Sequence, residues 1–340
     1  MMPKQVRIEA TKVCNLKCVG CRRVWESDIA GIPGDKHLHM DRVESIVNQL
    51  PGLRLVGFSG DAETTVNPHI WNILELLRKK NIRSTFTTNS TILNKELIDT
   101  CEKCGVIRIS VSQTGAKKET FEKIRVGAHF DKVMENNYLI GRSSIPLFLN
   151  FPMLTKELMG QIPEFFKIAK DVKATGVQFL KLMIEDGEHL QPFDMNEFKD
   201  VTDDIKRRAK DGGFVLEGCL EPEPVFRQCY EPVIAPLITL NGDVFPCAYA
   251  AKQTPKEYYA GGTIESPVAN YIMGNIFQQS IRDIWFGEPY KNLRAYLKST
   301  TQSIGKIVSQ RALQDMRENP DNNRYAYCKS CLVRWNEAGS

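Results

Sequence analysis

The stretch Cys14-Asn15-Leu16-Lys17-Cys18-Val19-Gly20-Cys21 places three thiols within eight residues. It comes just after Val6, Ile8 and Ala10, which alternate with polar neighbours in the manner of a half-buried strand. The thiols therefore ride on the loop that leaves a first strand. Three thiolates so spaced can each ligate one iron of a [4Fe-4S] cube, leaving the fourth iron without a protein ligand and open to chemistry. A structural zinc is the competing use of such thiols. It wants four tetrahedral ligands, usually from two CxxC-like pairs, and no fourth ligand lies close by in the chain. The softness of an all-thiolate donor set favours the cluster.

Downstream of this loop, apolar residues recur with helical spacing at Val43, Ile46, Val47 and Leu50, completing one β/α unit. The unit repeats as Leu53 to Phe58 with Ile70, Ile73, Leu74 and Leu77, and as Ile82 to Thr87 with Leu97, Ile98 and Cys101. Val106 to Val111 precedes the helical stretch Phe130 to Ile140; Leu147 to Phe151 precedes Ile162, Phe165, Phe166 and Ala169; Val177 to Met183 precedes Phe198, Val201 and Ile205. Six strands alternating with helices predict an α/β fold: a parallel sheet with right-handed crossovers, curled into a partial (β/α)6 TIM-like barrel with functional groups at the C-terminal strand ends. An open doubly wound sheet has the same element order and is the alternative. The rhythm stops near Gly212 to Gly218, so a domain boundary is expected between residues 218 and 219.

The region 219–340 opens with Pro222, Pro224, Pro232 and Pro236. Leu237 to Leu240 and Asp243 to Phe245 then flank Asn241-Gly242, a hairpin signal because both turn residues tolerate positive φ. Lys252 to Tyr271, with Tyr258, Tyr259 and Gly261-Gly262, reads equally as a substrate lid or a plain surface loop. Ser299 to Tyr327 reads as a helix followed by a turn.

Composition bounds these readings. With 340 residues, 42% apolar and 25% charged, the chain suits one large α/β domain plus an appendage. Lys and Arg number 45 against 41 Asp and Glu, with no basic run, so no nucleic-acid partner is expected. No apolar stretch near the start resembles a signal peptide or a transmembrane helix, so a cytoplasmic protein without membrane association is expected. In that reducing setting the ten cysteines point to metal or redox use rather than a disulfide framework.

The C-x3-C-x2-C loop directly after strand one of a (β/α)6 pattern resembles the radical S-adenosylmethionine superfamily. That resemblance implies that the open iron chelates the amino and carboxylate groups of S-adenosylmethionine. Reductive cleavage of the sulfonium then yields a 5′-deoxyadenosyl radical that abstracts hydrogen from a substrate. Later segments match the family's cofactor motifs in order. Gly60-Asp61-Ala62-Glu63 looks like its Gly-Gly-Glu turn, with Gly60 on the backbone side and Glu63 as the amine contact; Ala62 and Thr64 stand where glycine and proline are common. Asn89, in Thr87-Thr88-Asn89-Ser90, and Ser110 and Ser112, in Ser110-Val111-Ser112, look like positions that touch the methionine and ribose, Ser112 standing where aspartate is frequent. Arg125 resembles an arginine that reaches the methionine carboxylate, for which a bidentate guanidinium is suited. Gly20 stands where an aromatic residue often packs on the adenine, and Trp25 is the candidate replacement.

Cys229, Cys247, Cys328 and Cys331 form a second constellation, which by spacing alone suits either a fully coordinated [4Fe-4S] cube or an all-cysteine zinc site. Gly274-Asn275-Ile276, Ile281-Arg282-Asp283-Ile284-Trp285 and the Gly242 to Cys247 hairpin resemble the superfamily's cysteine-rich SPASM/Twitch extension. The resemblance implies a cluster, and four cysteines imply one auxiliary cluster, making two [4Fe-4S] clusters in all. Cys101 and Cys104 read as core, and Cys219 at the domain junction is a candidate hydrogen-atom donor of the kind an epimerase needs. The five histidines show no metal motif.

The function expected is radical chemistry on a small-molecule or peptide substrate, a net oxidation or bond formation fed by an external electron donor. Only a few residues precede the first strand, so a fused leader-peptide reader is not expected, and a peptide substrate would come with a separate partner. An epimerase and a non-catalytic cluster or zinc protein are the alternatives.

Overall fold

The computed structural model describes residues 2–19, 21, 35–60, 62–153, 155–180, 198–218, 234–248, 250–251, 256–259, 262–265 and 271–303. Its backbone is a run of parallel strands in sequence order: β1 (Gln5–Ile8), β2 (Leu55–Phe58), β3 (Arg83–Thr88), β4 (Val106–Ser112), β5 (Leu147–Pro152) and β6 (Gly176–Leu180). A further parallel strand, β7 (Val215–Gly218), follows β6. Each crossover advances the sheet the same way, so with right-handed connections the helices fall on one face. A doubly wound sheet needs a reversal of strand order, and this one has none among β1 to β7.

The helices are α1 (Met40–Asn48), α2 (Ile70–Lys79), α3 (Lys95–Lys103), α4 (Lys118–Ile124), α5 (Phe130–Ile140), α6 (Lys156–Met159), α7 (Ile162–Asp171) and α8 (Phe198–Gly212). The stripes read from the sequence are the buried ones: Val43, Ile46 and Val47 on α1, and Ile70, Ile73, Leu74 and Leu77 on α2. Asn94 starts α3 by accepting the Leu97 N–H, and Thr155 does the same for Leu158 on α6. On the helix-covered face, Phe151 and Phe179 pack against Phe165 of α7, with ring centroids 4.6 and 5.5 Å away.

Strand alternation sends the other side chains to the opposite face, where Arg108, Ser110, Ser112, Asn150, Gln178 and Glu217 stand with Phe148. Arg108 shows how far the sheet curls. In a flat sheet β4 and β7 would lie about 14 Å apart. Yet the Arg108 guanidinium pairs bidentately with Glu217, at 2.7 and 2.8 Å, while lying 3.6 Å over the Phe148 ring. Its Nε donates to Ser110 Oγ at 2.9 Å. The face carrying these groups is therefore concave, as a partial barrel requires.

Beyond β7, the chain returns to the opposite edge of the same sheet. β8 (Leu237–Ile238) pairs parallel with β1, and β9 (Asp243–Phe245) turns back antiparallel to β8. β10 (Lys256–Tyr259) and β11 (Gly262–Glu265) form a separate antiparallel pair within the segment read as lid or loop, and β12 (Gly274–Asn275) completes the edge beside β9. α9 (Ile281–Phe286) and α10 (Glu288–Ser303) follow. The β8–β9 hairpin was expected, but its turn differs: Gly242 N donates to Thr239 O and Thr239 N to Asp243 O, and only Gly242 has positive φ, +86°. This is a turn closed by one left-handed glycine rather than two.

The C-terminal elements share the barrel's core. Ile238, Leu240, Val244, Ile276, Ile284 and Trp285 belong to the same apolar cluster as Val6, Ile8 and Val43. Polar clamps fix the contact: Leu240 N donates to Glu9 Oε2, Arg42 Nη1 donates to Leu240 O, and Gln49 joins Ile276 O to Ile281 N. Among the described residues no helix is long and apolar enough to cross a membrane.

Arg108→Leu should destabilise the protein by about 1–3 kcal/mol, because Glu217 is left without its partner. Adding Glu217→Leu should recover most of that loss. Denaturant unfolding of the two variants checks both; equal losses would remove the pair from the account of the curl.

Candidate functional site

The loop after β1 is tied to three neighbours. Thr11 Oγ1 donates to Lys36 O and receives Val13 N, and Val13 O in turn accepts Glu63 N. Lys17 N donates to Val126 O at 2.9 Å and Val19 N to Ile124 O at 2.8 Å, so the loop lies along the chain leaving α4. Gly127, at φ +97°, supplies the left-handed turn that carries the chain past Leu16. Beneath the loop, Leu16, Phe121, Ala128 and Val133 form a small apolar cluster against which Cys14 and Cys18 pack.

Cys14, Cys18 and Cys21 are all partly exposed, and none is in a disulfide. Burial pushes the Cys18 thiol pKa up, the Arg125 guanidinium opposes this, and the neighbouring Cys21 and Cys14 add to the rise. The three thiols are thus close enough to feel one another. Among the described residues no three His, Cys, Asp or Glu side chains converge on a point where one ion would sit. Three thiolates on one loop are a donor set that fits a [4Fe-4S] cluster, one iron to each.

Glu63 lies beside this loop with 3% of its surface exposed. Its Oε1 accepts from Thr65 N at 3.1 Å, Thr65 Oγ1 at 2.6 Å and Thr88 Oγ1 at 2.7 Å, and its Oε2 accepts from Asn89 N at 2.6 Å. A carboxylate taken out of water requires such donors. Asn89, from the end of β3, donates through Nδ2 to Asn15 Oδ1 and accepts from Thr91 N and Oγ1. Asn15 Nδ2 also reaches Thr91 Oγ1 at 2.8 Å. Asn89 thus anchors the cysteine loop to β3.

Arg125 follows α4 and gives its Nε to Thr114 Oγ1 at 3.0 Å. Thr114 lies beyond β4 beside Gln113, whose amide joins Gly115 O to Asn137 of α5, while the adjacent Asn136 donates to Ser90 O. Ser110 and Ser112 stand on the concave face of β4, Ser110 already accepting from Arg108. Gly60 closes β2 against the Glu9 side chain. The structure therefore brings Cys14, Cys18, Cys21, Gly60, Glu63, Asn89, Ser110, Ser112 and Arg125 to one end of the sheet. Asn15, Thr65, Thr88 and Thr114 complete the frame; no spacing rule exposes them, although Asn15 lies inside the cysteine motif itself.

Of the second constellation, Cys247 is described. It is buried with Leu237, Phe245, Ala250 and Tyr271, and its Sγ accepts from Ala250 N at 3.3 Å. Because β9 runs antiparallel to β8, with Phe245 opposite Leu237 and Leu237 opposite Arg7, Cys247 falls toward the end of the sheet away from the first cysteine loop. Cys219, Cys229, Cys328, Cys331, Gly20 and Trp25 lie outside the described residues. Cys101 and Cys104 are buried in the core, as expected.

A model of the radical SAM superfamily matches residues 8–169, and one of the iron-sulfur cluster-binding domain SPASM matches residues 229–301. A tungsten-containing aldehyde ferredoxin oxidoreductase cofactor-modifying protein of Pyrococcus furiosus is 24% identical over 308 residues, 87% of this chain and 84% of the relative. An AdoMet-dependent heme synthase of Methanosarcina barkeri is 24% identical over 322 residues, 86% of this chain and 85% of the relative. The structure of Streptococcus suis SuiB bound to precursor peptide SuiA superposes with a TM-score of 0.64 at 19% identity, covering 86% of this chain and 67% of that one.

Two outcomes follow from this geometry. Thr88→Val, which removes one donor from a buried carboxylate, should cost about 1–3 kcal/mol in unfolding experiments; no change would show that Glu63 does not depend on that bond. Burial, with the charge of Cys104 adding to it, pushes the Cys101 thiol from 9.0 up to about 12. Its contribution to stability is complete below pH 9 and is lost as pH rises toward 12. Alkylation of the native protein at pH 9 should therefore leave Cys101 unmodified, and labelling there would disprove the core placement.

Proposed function

This chain belongs to the radical S-adenosylmethionine superfamily and carries a SPASM iron-sulfur cluster-binding domain, and from that premise we propose that it is an oxidoreductase acting on a peptide or small polar molecule, assisted by one auxiliary cluster. The observation that supports this reading is the placement of its thiols. Cys14, Cys18 and Cys21 lead off the C-terminal end of β1, whereas Cys247 lies toward the other end of the same sheet.

When loaded, the first cluster and S-adenosylmethionine supply a 5′-deoxyadenosyl radical and the second cluster an electron acceptor. Cys14, Cys18 and Cys21 would hold the first. Cys229, Cys247, Cys328 and Cys331 would hold the second, in a domain taken to begin at residue 219. Glu63 keeps acceptor capacity on Oε2, which receives one donor among the described residues, and this suits the methionyl ammonium. Arg125 is steadied through Nε by Thr114, leaving its two terminal nitrogens for the methionine carboxylate. Gly60 shapes the turn before Glu63. Asn89 holds the loop while Ser110 and Ser112 line the cleft at the ribose. The polar concave lining favours a substrate rich in amide or hydroxyl groups, and the likeness to SuiB, solved with a precursor peptide, supports a peptide. An external donor must reduce the first cluster.

Anaerobic reconstitution tests the reading. About eight irons per chain are expected, with 5′-deoxyadenosine released on adding dithionite and S-adenosylmethionine. Cys18→Ala should abolish that release, whereas Cys247→Ala should retain it with about four irons fewer. Intact clusters without cleavage would overturn the enzyme, and zinc in place of the second cluster would overturn the redox role.

A further inference from the structure

Among the described residues, three other than glycine have positive φ: Asn81 at +57°, Lys173 at +56° and Ser90 at +63°. Asn81 and Lys173 are exposed and follow the last turns of α2 and α7, where a left-handed residue commonly ends a helix. Ser90 has neither excuse. It lies just beyond β3, is wholly buried, and holds a conformation that any residue with a Cβ resists. Such strain persists only where the surroundings impose it. Two bonds impose it here: Ser90 N donates to Thr88 Oγ1 at 3.0 Å, and Asn136 Nδ2, from the wholly buried Asn136 of α5, donates to Ser90 O at 2.6 Å. The bond to Ser90 is the only one the Asn136 side chain makes among the described residues.

The bend at Ser90 controls the residues on either side of it. Thr91 turns back on Asn89, giving its N–H and its hydroxyl to Asn89 Oδ1 at 3.0 and 2.7 Å. Asn15 of the cysteine loop closes the ring, donating to Thr91 Oγ1 and accepting from Asn89 Nδ2. The same stretch supplies Asn89 N and Thr88 Oγ1 to the Glu63 carboxylate. Extended backbone at Ser90 would carry Thr91 away from Asn89 and open the ring. We propose that Asn136 is a positioning residue for S-adenosylmethionine binding: by holding Ser90 left-handed it sets Asn89 and Thr91, and through them the cysteine loop and Glu63. This rests on the reading of the protein as an S-adenosylmethionine enzyme. Asn136 bonds to none of the cysteines, nor to Glu63 or Arg125, so it acts on how tightly S-adenosylmethionine is held rather than on its cleavage.

A double-mutant cycle on the reconstituted full chain tests this, read as the KM for S-adenosylmethionine and the kcat of dithionite-driven 5′-deoxyadenosine release. Asn136→Leu should raise KM about tenfold, the size of one lost hydrogen bond, and leave kcat within about twofold. Glycine takes the left-handed conformation unaided, so in the Ser90→Gly background the same Asn136→Leu change should move KM by less than about twofold. Ser90→Thr keeps Asn136 but adds a β-branched side chain that resists positive φ, and it should raise KM in the same direction. An unchanged KM in Asn136→Leu, an equal rise in both backgrounds, or a fall in kcat alone would overturn the positioning role and leave the enzyme reading intact. If Asn136→Leu takes up no cluster, Ser90→Thr decides, and an unchanged KM there overturns the role. A parent that releases no 5′-deoxyadenosine would overturn both readings.

Discussion

Removing the Glu63 carboxylate from water is tolerable only if donors replace the solvent, and the donors it recruits define the rest of the site. Thr65 closes the turn after β2, Thr88 and the Asn89 amide bind that turn to the end of β3, and the Glu63 backbone holds Val13 in the cysteine loop. One residue, through its carboxylate and its backbone N–H, thus ties together three segments that are far apart in sequence. Asn89 extends the tie to Asn15, within the cysteine motif. Mobile thiolates would meet a cluster at an entropic cost; these are presented on a loop already pinned from below by Leu16 and Phe121 and from the side by Ile124 and Val126.

The two faces of the sheet have different tasks, and alternation along each strand assigns them. Leu149, Phe151, Val177 and Phe179 pack against the helices, while Phe148, Asn150 and Gln178 turn into the concavity. A barrel filled with aliphatic side chains would be a core; the concave face of β4 to β7 is instead lined by amides, hydroxyls and an Arg108–Glu217 pair. Arg108 satisfies its charge with Glu217, its Nε with Ser110 and its flat face with Phe148, so it bridges the curve of the sheet without exposing an unpaired guanidinium.

The described residues of the C-terminal region pack onto the barrel. Its hairpin extends the barrel sheet at β1; Ile238, Leu240 and Val244 join the barrel's core cluster, while Leu237 and Phe245 pack in a smaller one with Cys247. The Gln49 side chain, which serves Ile276 and Ile281 together, makes the register of that docking specific. Trp285 of α9 and Tyr290 of α10 are buried in the barrel's core, and the Tyr290 hydroxyl donates to Phe245 O. Cys247 follows β9, which reaches β1 through β8, so its position is set by the same sheet that carries the first loop.

Local patterns were enough to determine much of this. Apolar spacing located α1, α2 and α7 and strands β1 to β6, because each element buries one face and shows it at a fixed period, and the cysteine spacing announced its chemistry because the thiols share one loop. Cys101 read as core because it falls on the apolar stripe of α3. The edge strand β7 escaped notice: four residues with one side exposed carry little alternation, and only β6 makes them a strand. The turn at Gly242 depended on the fit of Phe277 and Asn275 around it, contacts from more than thirty residues away. Asn15 and Thr88 likewise look ordinary in the chain. What makes them matter is register between strands and the burial of a charge, both of which arise only when distant segments meet, so the tertiary structure alone could decide them.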